Sequence, residues 1–283
     1  MRPPHVLVFD SGVGGLSVSQ DIHRAIPSAR LSYIADTACF PYGSQTDALI
    51  TERCLGLILQ SLSEAPVDVI VIACNTASTV VLPRLREATE IPVVGVVPAI
   101  KPAAALSRNR RIGLLATPAT IRRPYIDQLI STFATDCELV RIGHPELVRW
   151  IEDHVAGVPL PEQALSTALE PFRRSNVDTI VLGCTHYPLI QKQLTALLPD
   201  VAYWVNSGEA IARRTVHLLG AAGFDTGSGA RAEPVWESVR FSGDSPTGMT
   251  DYLARLGLNA TTLITHWPER PLVGASAKAR GSV

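Results

Sequence analysis

Two cysteines stand in matching settings, and their placement suits proton chemistry. The stretch Val67-Asp68-Val69-Ile70-Val71-Ile72-Ala73-Cys74-Asn75-Thr76 is echoed by Val177-Asp178-Thr179-Ile180-Val181-Leu182-Gly183-Cys184-Thr185-His186 at an offset of 110 residues, with five of ten positions identical. Each is an apolar run of the kind that forms a strand buried on both faces. Each ends in a cysteine and two polar residues, ahead of a helical stretch. A thiol between a strand end and a helix start feels the helix dipole, which is expected to lower its pKa from about 8.5. Two such thiols flanking one ligand can invert a carbon: a thiolate removes a proton from one face and a thiol supplies one to the other. Their titrations would be coupled. Asn75, Thr76, Thr185 and His186 are placed to donate hydrogen bonds to a ligand carboxylate. Singly, each cysteine reads as a small buried hydrophobe; the symmetric pair favours chemistry. Cys54 and Cys137 lack this setting and read as structural, and Cys39 stays open.

Other segments could complete a site. Asp10-Ser11-Gly12-Val13-Gly14-Gly15 follows a short apolar run and opens a helix, so its glycines would let backbone N–H groups approach an anion. The spacing is not the GxGxxG of dinucleotide sites, and Asp10 would repel a pyrophosphate. Asp36-Thr37 is followed by Pro41-Tyr42-Gly43-Ser44, which ordinary turn chemistry explains equally well. Glu152 and Asp153 lie on an expected helix over Pro145–Val155, where a solvated acidic face is the plain reading.

These residues need a frame. Runs at Val6–Phe9, Leu31–Ala35, Val67–Ala73, Val93–Val97, Ile112–Ala116, Leu139–Ile142, Val177–Gly183 and Tyr203–Val205 read as strands. Helical stretches alternate with them, about Thr46–Glu64, Pro161–Arg174 and Glu209–Leu219 among others. That alternation implies an α/β protein with parallel sheets, and the echo implies two related halves. Ligands of open parallel sheets bind beyond the carboxyl ends of strands, where both cysteines sit. If the halves face each other, both thiols enter one cleft. Asp225–Glu233 reads as a surface loop, and residues 271–283 as a disordered tail.

Composition limits the partners. The 283 residues are 46% hydrophobic and 18% charged with a net charge of −1, which gives no footprint for nucleic acid or an anionic membrane. Lys101, Lys192 and Lys278 are the only lysines, leaving few candidates for a Schiff-base cofactor. Five scattered cysteines without a CxxC pair argue against disulfides and structural zinc. With neither a signal peptide nor a run long enough to span a bilayer, a soluble cytoplasmic protein is expected.

The motifs taken in order resemble those of the bacterial glutamate racemases. The resemblance rests on Phe9-Asp10-Ser11-Gly12-Val13-Gly14-Gly15-Leu16, Ala35-Asp36-Thr37 with Pro41-Tyr42-Gly43, Ala73-Cys74-Asn75-Thr76-Ala77-Ser78, Gly95-Val96-Val97-Pro98-Ala99, Leu182-Gly183-Cys184-Thr185-His186-Tyr187-Pro188-Leu189 and Ser207-Gly208-Glu209-Ala210, spread over about residues 6–244. It implies interconversion of L- and D-glutamate for peptidoglycan, without pyridoxal phosphate, any other cofactor or a metal. It implies Cys184 as the base toward L-glutamate and Cys74 as the base toward D-glutamate, assisted by His186 and Asp10. It further implies that Asp10, Ser11, Pro41, Tyr42, Gly43, Asn75, Thr76, Thr117, Thr120, Thr185 and His186 bind substrate with the two cysteines. The expected domains are 1–97 with 207–270, and 98–206; a homodimer is the assembly such proteins suggest.

The chain departs from the pattern at Asn206, at Ala119, and at Gly143-His144-Pro145-Glu146, which leads to Glu152. Rival readings are an aspartate racemase, a two-lobed amino-acid-binding module that would not need both thiols, and a thiol hydrolase, which would pair one cysteine with a dedicated base.

Overall fold

The computed structural model describes residues 2–227 and 236–268. The expectations for 271–283 and for most of Asp225–Glu233 lie outside them. The strands are β1 (His5–Asp10), β2 (Arg30–Ala35), β3 (Val69–Ile72), β4 (Val93–Gly95), β5 (Arg111–Ala116), β6 (Glu138–Gly143), β7 (Thr179–Leu182), β8 (Tyr203–Val205), β9 (Trp236–Phe241) and β10 (Leu263–Ile264). Helices α1 (Gly15–Ala25), α2 (Asp47–Glu64), α3 (Asn75–Ala88) and α4 (Ile100–Leu106) run through the first part of the chain. Then come α5 (Pro118–Ile121), α6 (Pro124–Phe133), α7 (Leu147–Val155), α8 (Glu162–Arg174), α9 (Gln191–Leu197), α10 (Gly208–Ala221) and α11 (Met249–Arg255).

The strands form two sheets, ordered β10-β9-β2-β1-β3-β4 and β6-β5-β7-β8. Every strand pairing among the described residues is parallel. The segment β2-β1-β3-β4 has the same order as β6-β5-β7-β8, so the ten-residue echo extends to a repeated topology. The correspondence reaches the hydrogen bonds. Ala73 N–H donates to Phe9 O and Gly183 N–H to Leu115 O, both at 2.7 Å, so each residue before a key cysteine extends the ladder against its central strand.

The repeat is not complete. The sequence reading missed β9, β10 and α11. Ser238 and Arg240 interrupt the apolar run of β9, and β10 is only two residues long, so neither gives a strong period-two signal. Tertiary pairing makes them strands, with β9 lying beside β2 and extending the first sheet. The helix α10 follows the second sheet in sequence yet packs on α1 of the first, burying Ile211, Ala212 and Leu219 in the core that holds Val6, Val8 and Leu16.

Candidate active site

Four strand ends meet at one cavity. It is lined by Asp10 at the end of β1 and Ser11 after it, by Cys74, Asn75 and Thr76 after β3, by Thr117 after β5, and by Cys184, Thr185 and His186 after β7. Pro41, Tyr42, Gly43 and Ser44 close one side, with Phe40, Pro118, His144, Pro145 and Val148. The cavity encloses about 190 Å³, below the ~300–1,000 Å³ of sites for drug-sized ligands and suited to a small metabolite. Cys74 and Cys184 are 6% and 7% exposed, and both reach it. The two thiols thus share a single cleft, as the repeat leads one to expect.

Of the sequence-predicted binding residues, Thr120 alone stands outside this wall. It is fully buried behind Thr117, whose hydroxyl oxygen accepts its backbone N–H at 3.2 Å and so caps the start of α5. Asn75 faces the cavity, but its amide nitrogen is engaged by Gly183 O across the cleft. Its Oδ1 is buried with no protein partner among the described residues. Tyr42 also lines the cavity, yet its hydroxyl donates to Asp36 Oδ2 at 2.7 Å. Asp36 lies beneath, fully buried, where it pairs with Arg53 and accepts from Ser242 Oγ at 2.5 Å. It therefore braces the Tyr42–Gly43 turn from behind.

The largest correction concerns Glu152. It is not on a solvated face. Its Oε1 lies 2.7 Å from His186 Nε2 and accepts the Val13 N–H at 2.7 Å. The signal for this was present: Leu147, Val148, Ile151 and Val155 form the buried stripe of α7, and Glu152 flanks that stripe. The glycine turn is explained by the same contact. A Cβ on Gly12 would collide with Glu152, and one on Gly14 with the ring and backbone of His186. The anion that approaches this turn is the chain's own carboxylate.

The two thiols have unlike neighbours. Cys74 caps α3, accepting the Ala77 N–H at 3.5 Å, and lies 3.8 Å from Ser11 Oγ. Its pKa is raised well above the ordinary value, chiefly by burial and then by the charge of Asp10; the Ala77 N–H only partly offsets them. The expected lowering by the helix dipole is thus overturned at Cys74, because burial in a water-poor cleft outweighs a partial charge. Cys184 is followed by a 3-10 turn, Tyr187–Ile190, and only then by α9. Its nearest polar partner is His186 Nδ1, 3.7 Å from its sulfur. Burial opposes charge on His186, but the hydrogen bonds to Cys184 and Glu152 outweigh it and hold the ring's pKa well above the usual value. Asp10 stands on the Cys74 side. Its Oδ2 accepts the Gly15 N–H at 2.7 Å and its Oδ1 is buried without a protein partner. Burial pushes its pKa up to about 6 against the pull of His186 and of the Ser11 and Gly15 N–H groups.

The remaining cysteines are accounted for by packing. Cys54 is buried beneath Tyr42, its sulfur 3.7 Å from the hydroxyl. Cys39 and Cys137 are half-buried against neighbouring core residues. Asn206 accepts the Gly208 N–H at 2.9 Å and shapes the start of α10. Among the described residues no helix is long and apolar enough to cross a membrane.

Known proteins agree with this geometry. Residues 11–215 match the family model for Asp/Glu/hydantoin racemases. The chain is 46% identical over 215 residues to a glutamate racemase of Shewanella loihica, covering 76% of this chain and 81% of that one. It is 49% identical over 218 residues to one of Klebsiella pneumoniae, covering 76% and 77%. The crystal structure of Escherichia coli glutamate racemase in complex with L-glutamate and the activator UDP-MurNAc-Ala superposes with a TM-score of 0.83 at 41% identity, over 93% of this chain and 98% of that one. The RacE1 isoform from Bacillus anthracis gives 0.79 at 26% identity, over 95% and 99%. With paired thiols at equivalent strand ends and relatives of this closeness, the chain belongs to the Asp/Glu/hydantoin racemase family, and within it to the glutamate racemases.

Proposed function

We propose that this protein interconverts L- and D-glutamate by two-base proton transfer between Cys184 and Cys74, with no organic cofactor, and so supplies D-glutamate for peptidoglycan. One observation carries the reading: the two thiols line one cavity from the ends of equivalent strands, with Glu152–His186 behind one and Asp10 beside the other. The E. coli relative was solved with L-glutamate bound, which supports the substrate.

The resting arrangement suits the L-to-D direction. Burial keeps Cys74 protonated, and the His186 cation can donate Nδ1–H toward Cys184 Sγ. In that direction Cys184 enters as thiolate and takes the α-proton: the Cα–H bond breaks and an S–H bond forms. The electron pair left on the carbon is delocalised into the α-carboxylate, which needs hydrogen-bond donors around it. Ser11, Thr76 and Thr185 supply hydroxyls at the cavity wall. Cys74 then gives its proton to the opposite face of Cα. The reverse reaction exchanges the roles. Asp10 Oδ1, buried and unpartnered, is placed for the substrate ammonium, and a cation there would draw its raised pKa back down.

The proposed lobes are residues 1–97 with 207–270, and 98–206, so that substrate is held where they meet. The packing of α10 on α1 and the pairing of β9 with β2 support this division. A homodimer, to be tested by sedimentation, belongs to the same reading. The decisive test is incubation with L-glutamate in D2O without added cofactor. D-glutamate carrying deuterium at Cα is the expected product. Exchange with L-aspartate and not with glutamate would overturn the substrate, and no exchange with either would overturn the racemase reading.

A further inference from the structure

The cleft is poorly supplied with positive charge for the ligand it would take. Glutamate carries two carboxylates and one ammonium, and burying a carboxylate without a partner is costly. Among the described residues no lysine or arginine lines the cavity, and the only lining side chains that can carry positive charge are His144 and His186. Both nitrogens of His186 are engaged, one by Cys184 and the other by Glu152. His144 is differently placed. Its Nδ1 accepts the Glu146 N–H at 3.2 Å, and its ring packs on Trp150 with centroids 4.6 Å apart. These two contacts fix the tautomer and the ring plane. They leave Nε2–H as a donor with no protein partner among the described residues.

Position decides which part of the ligand it meets. The thiols fix Cα beyond the ends of β3 and β7. His144 follows Gly143, the last residue of β6, and β6 is separated from β7 by β5. Two strand spacings amount to about 10 Å, a gap that the glutamate side chain and an imidazole together can bridge. Thr117 and Pro118, after β5, line the wall between.

Resting on the racemase reading above, we propose that His144 is a specificity-determining residue, donating Nε2–H to the distal carboxylate of the substrate. Burial lowers the pKa of His144 and the charge of Glu146 only partly opposes this, so the ring offers a neutral donor at neutral pH. Its grip on a carboxylate is that of a charged-acceptor hydrogen bond.

The test compares wild type, His144→Ala and His144→Gln, the last keeping an N–H donor at the position of Nε2. For His144→Ala, KM for L-glutamate is expected to rise roughly tenfold, with kcat within about twofold, because the contact is made equally in ground and transition states. Inhibition by glutarate, which has the second carboxylate, should weaken in parallel. Inhibition by n-butyrate, which lacks it, should not change. His144→Gln should restore both KM and glutarate inhibition. An unchanged KM, a loss confined to kcat, equal weakening of glutarate and butyrate, or failure of His144→Gln to rescue would each overturn the assignment. A wild-type protein that exchanges no α-proton of glutamate would instead overturn the racemase reading itself.

Discussion

Glu152 Oε1 lies 2.7 Å from His186 Nε2, while the other ring nitrogen of His186 faces Cys184 at 3.7 Å. A carboxylate on α7, a histidine after β7 and a thiol two residues earlier thus form a line, and the carboxylate end is fixed by the Val13 N–H. Such a line orients the ring and holds its proton.

Glu152→Gln should therefore act through His186. A neutral amide cannot support the imidazolium as a carboxylate does. The step in which Cys184 accepts a proton is expected to slow by about 10- to 100-fold, within the range for an oriented acid–base group. Stability should respond too. His186 has a raised pKa in the folded state, so its contribution is fully present below pH 6.5 and lost as pH rises through the folded value. The variant should lose more stability than wild type at pH 6 and less at high pH, as read by urea titrations. Equal losses at both ends would show that the pair does not titrate as described.

The two thiols should separate the half-reactions. Cys184→Ser and Cys74→Ser are each expected to lower racemisation by at least about 100-fold, since an alcohol is a far poorer base than a thiolate. Deuterium wash-in gives the finer reading. With Cys74 replaced, L-glutamate should still exchange its α-proton slowly at Cys184 without producing the D form. Racemisation that survives either substitution would remove that thiol from the chemistry.

Asp10 sets a pH dependence of the same sign in a lower pH window. Its folded pKa is raised from 3.8 to about 6, so between those values the unfolded chain ionises while the folded one stays protonated. Stability contributed by this group falls as pH rises through that window and stays low above it. The difference of about 2 units corresponds to about 3 kcal/mol. Asp10→Asn should thus be more stable than wild type at pH 8 by up to that amount, and equal to it near pH 3, while losing activity. Denaturant melts at the two pH values give the comparison, and an equal gain at both would contradict the buried-carboxylate account.

Gly14→Ala tests the close approach in the glycine turn. The added methyl would meet the ring and backbone of His186, and relieving that overlap is expected to cost about 1–3 kcal/mol. Displacing the ring from Cys184 should also depress turnover. A fully active, fully stable Gly14→Ala protein would mean that the turn tolerates a wider gap than the geometry allows.

Asp36→Ala should destabilise rather than selectively inactivate. It leaves the largely buried Arg53 without its partner, a loss of about 3–5 kcal/mol for a broken buried pair. It also frees the Tyr42 hydroxyl, so KM for glutamate is expected to rise with the loosened turn. Thermal melting and substrate titration of the one variant distinguish this bracing role from direct contact with substrate, which would leave the melting temperature unchanged.

The sequence by itself determined much of this. The apolar runs that become β1, β2, β3, β5 and β7 are buried on both faces, so their composition is set by the sheet and is visible without it. Repeated runs ending in Cys74 and Cys184 also disclosed the paired thiols and the place of most of the wall, because strand ends are local in sequence. Tertiary structure decided what is not local. Glu152 is 34 residues from His186 and 139 from Val13, and the stripe of α7 that it flanks places it at the edge of the core without naming the groups its carboxylate meets. The pKa of Cys74 followed burial rather than its helix, a balance that depends on how much water the closed cleft excludes. The Thr120 and Tyr42 hydroxyls turned away from the cavity because the Thr117 hydroxyl and the Asp36 carboxylate claimed them. The strands β9 and β10 became strands only because β2 offered an open edge. Sequence thus fixed which groups stand at the ends of strands, and the packing of one sheet's loops against the other's fixed which of those groups touch.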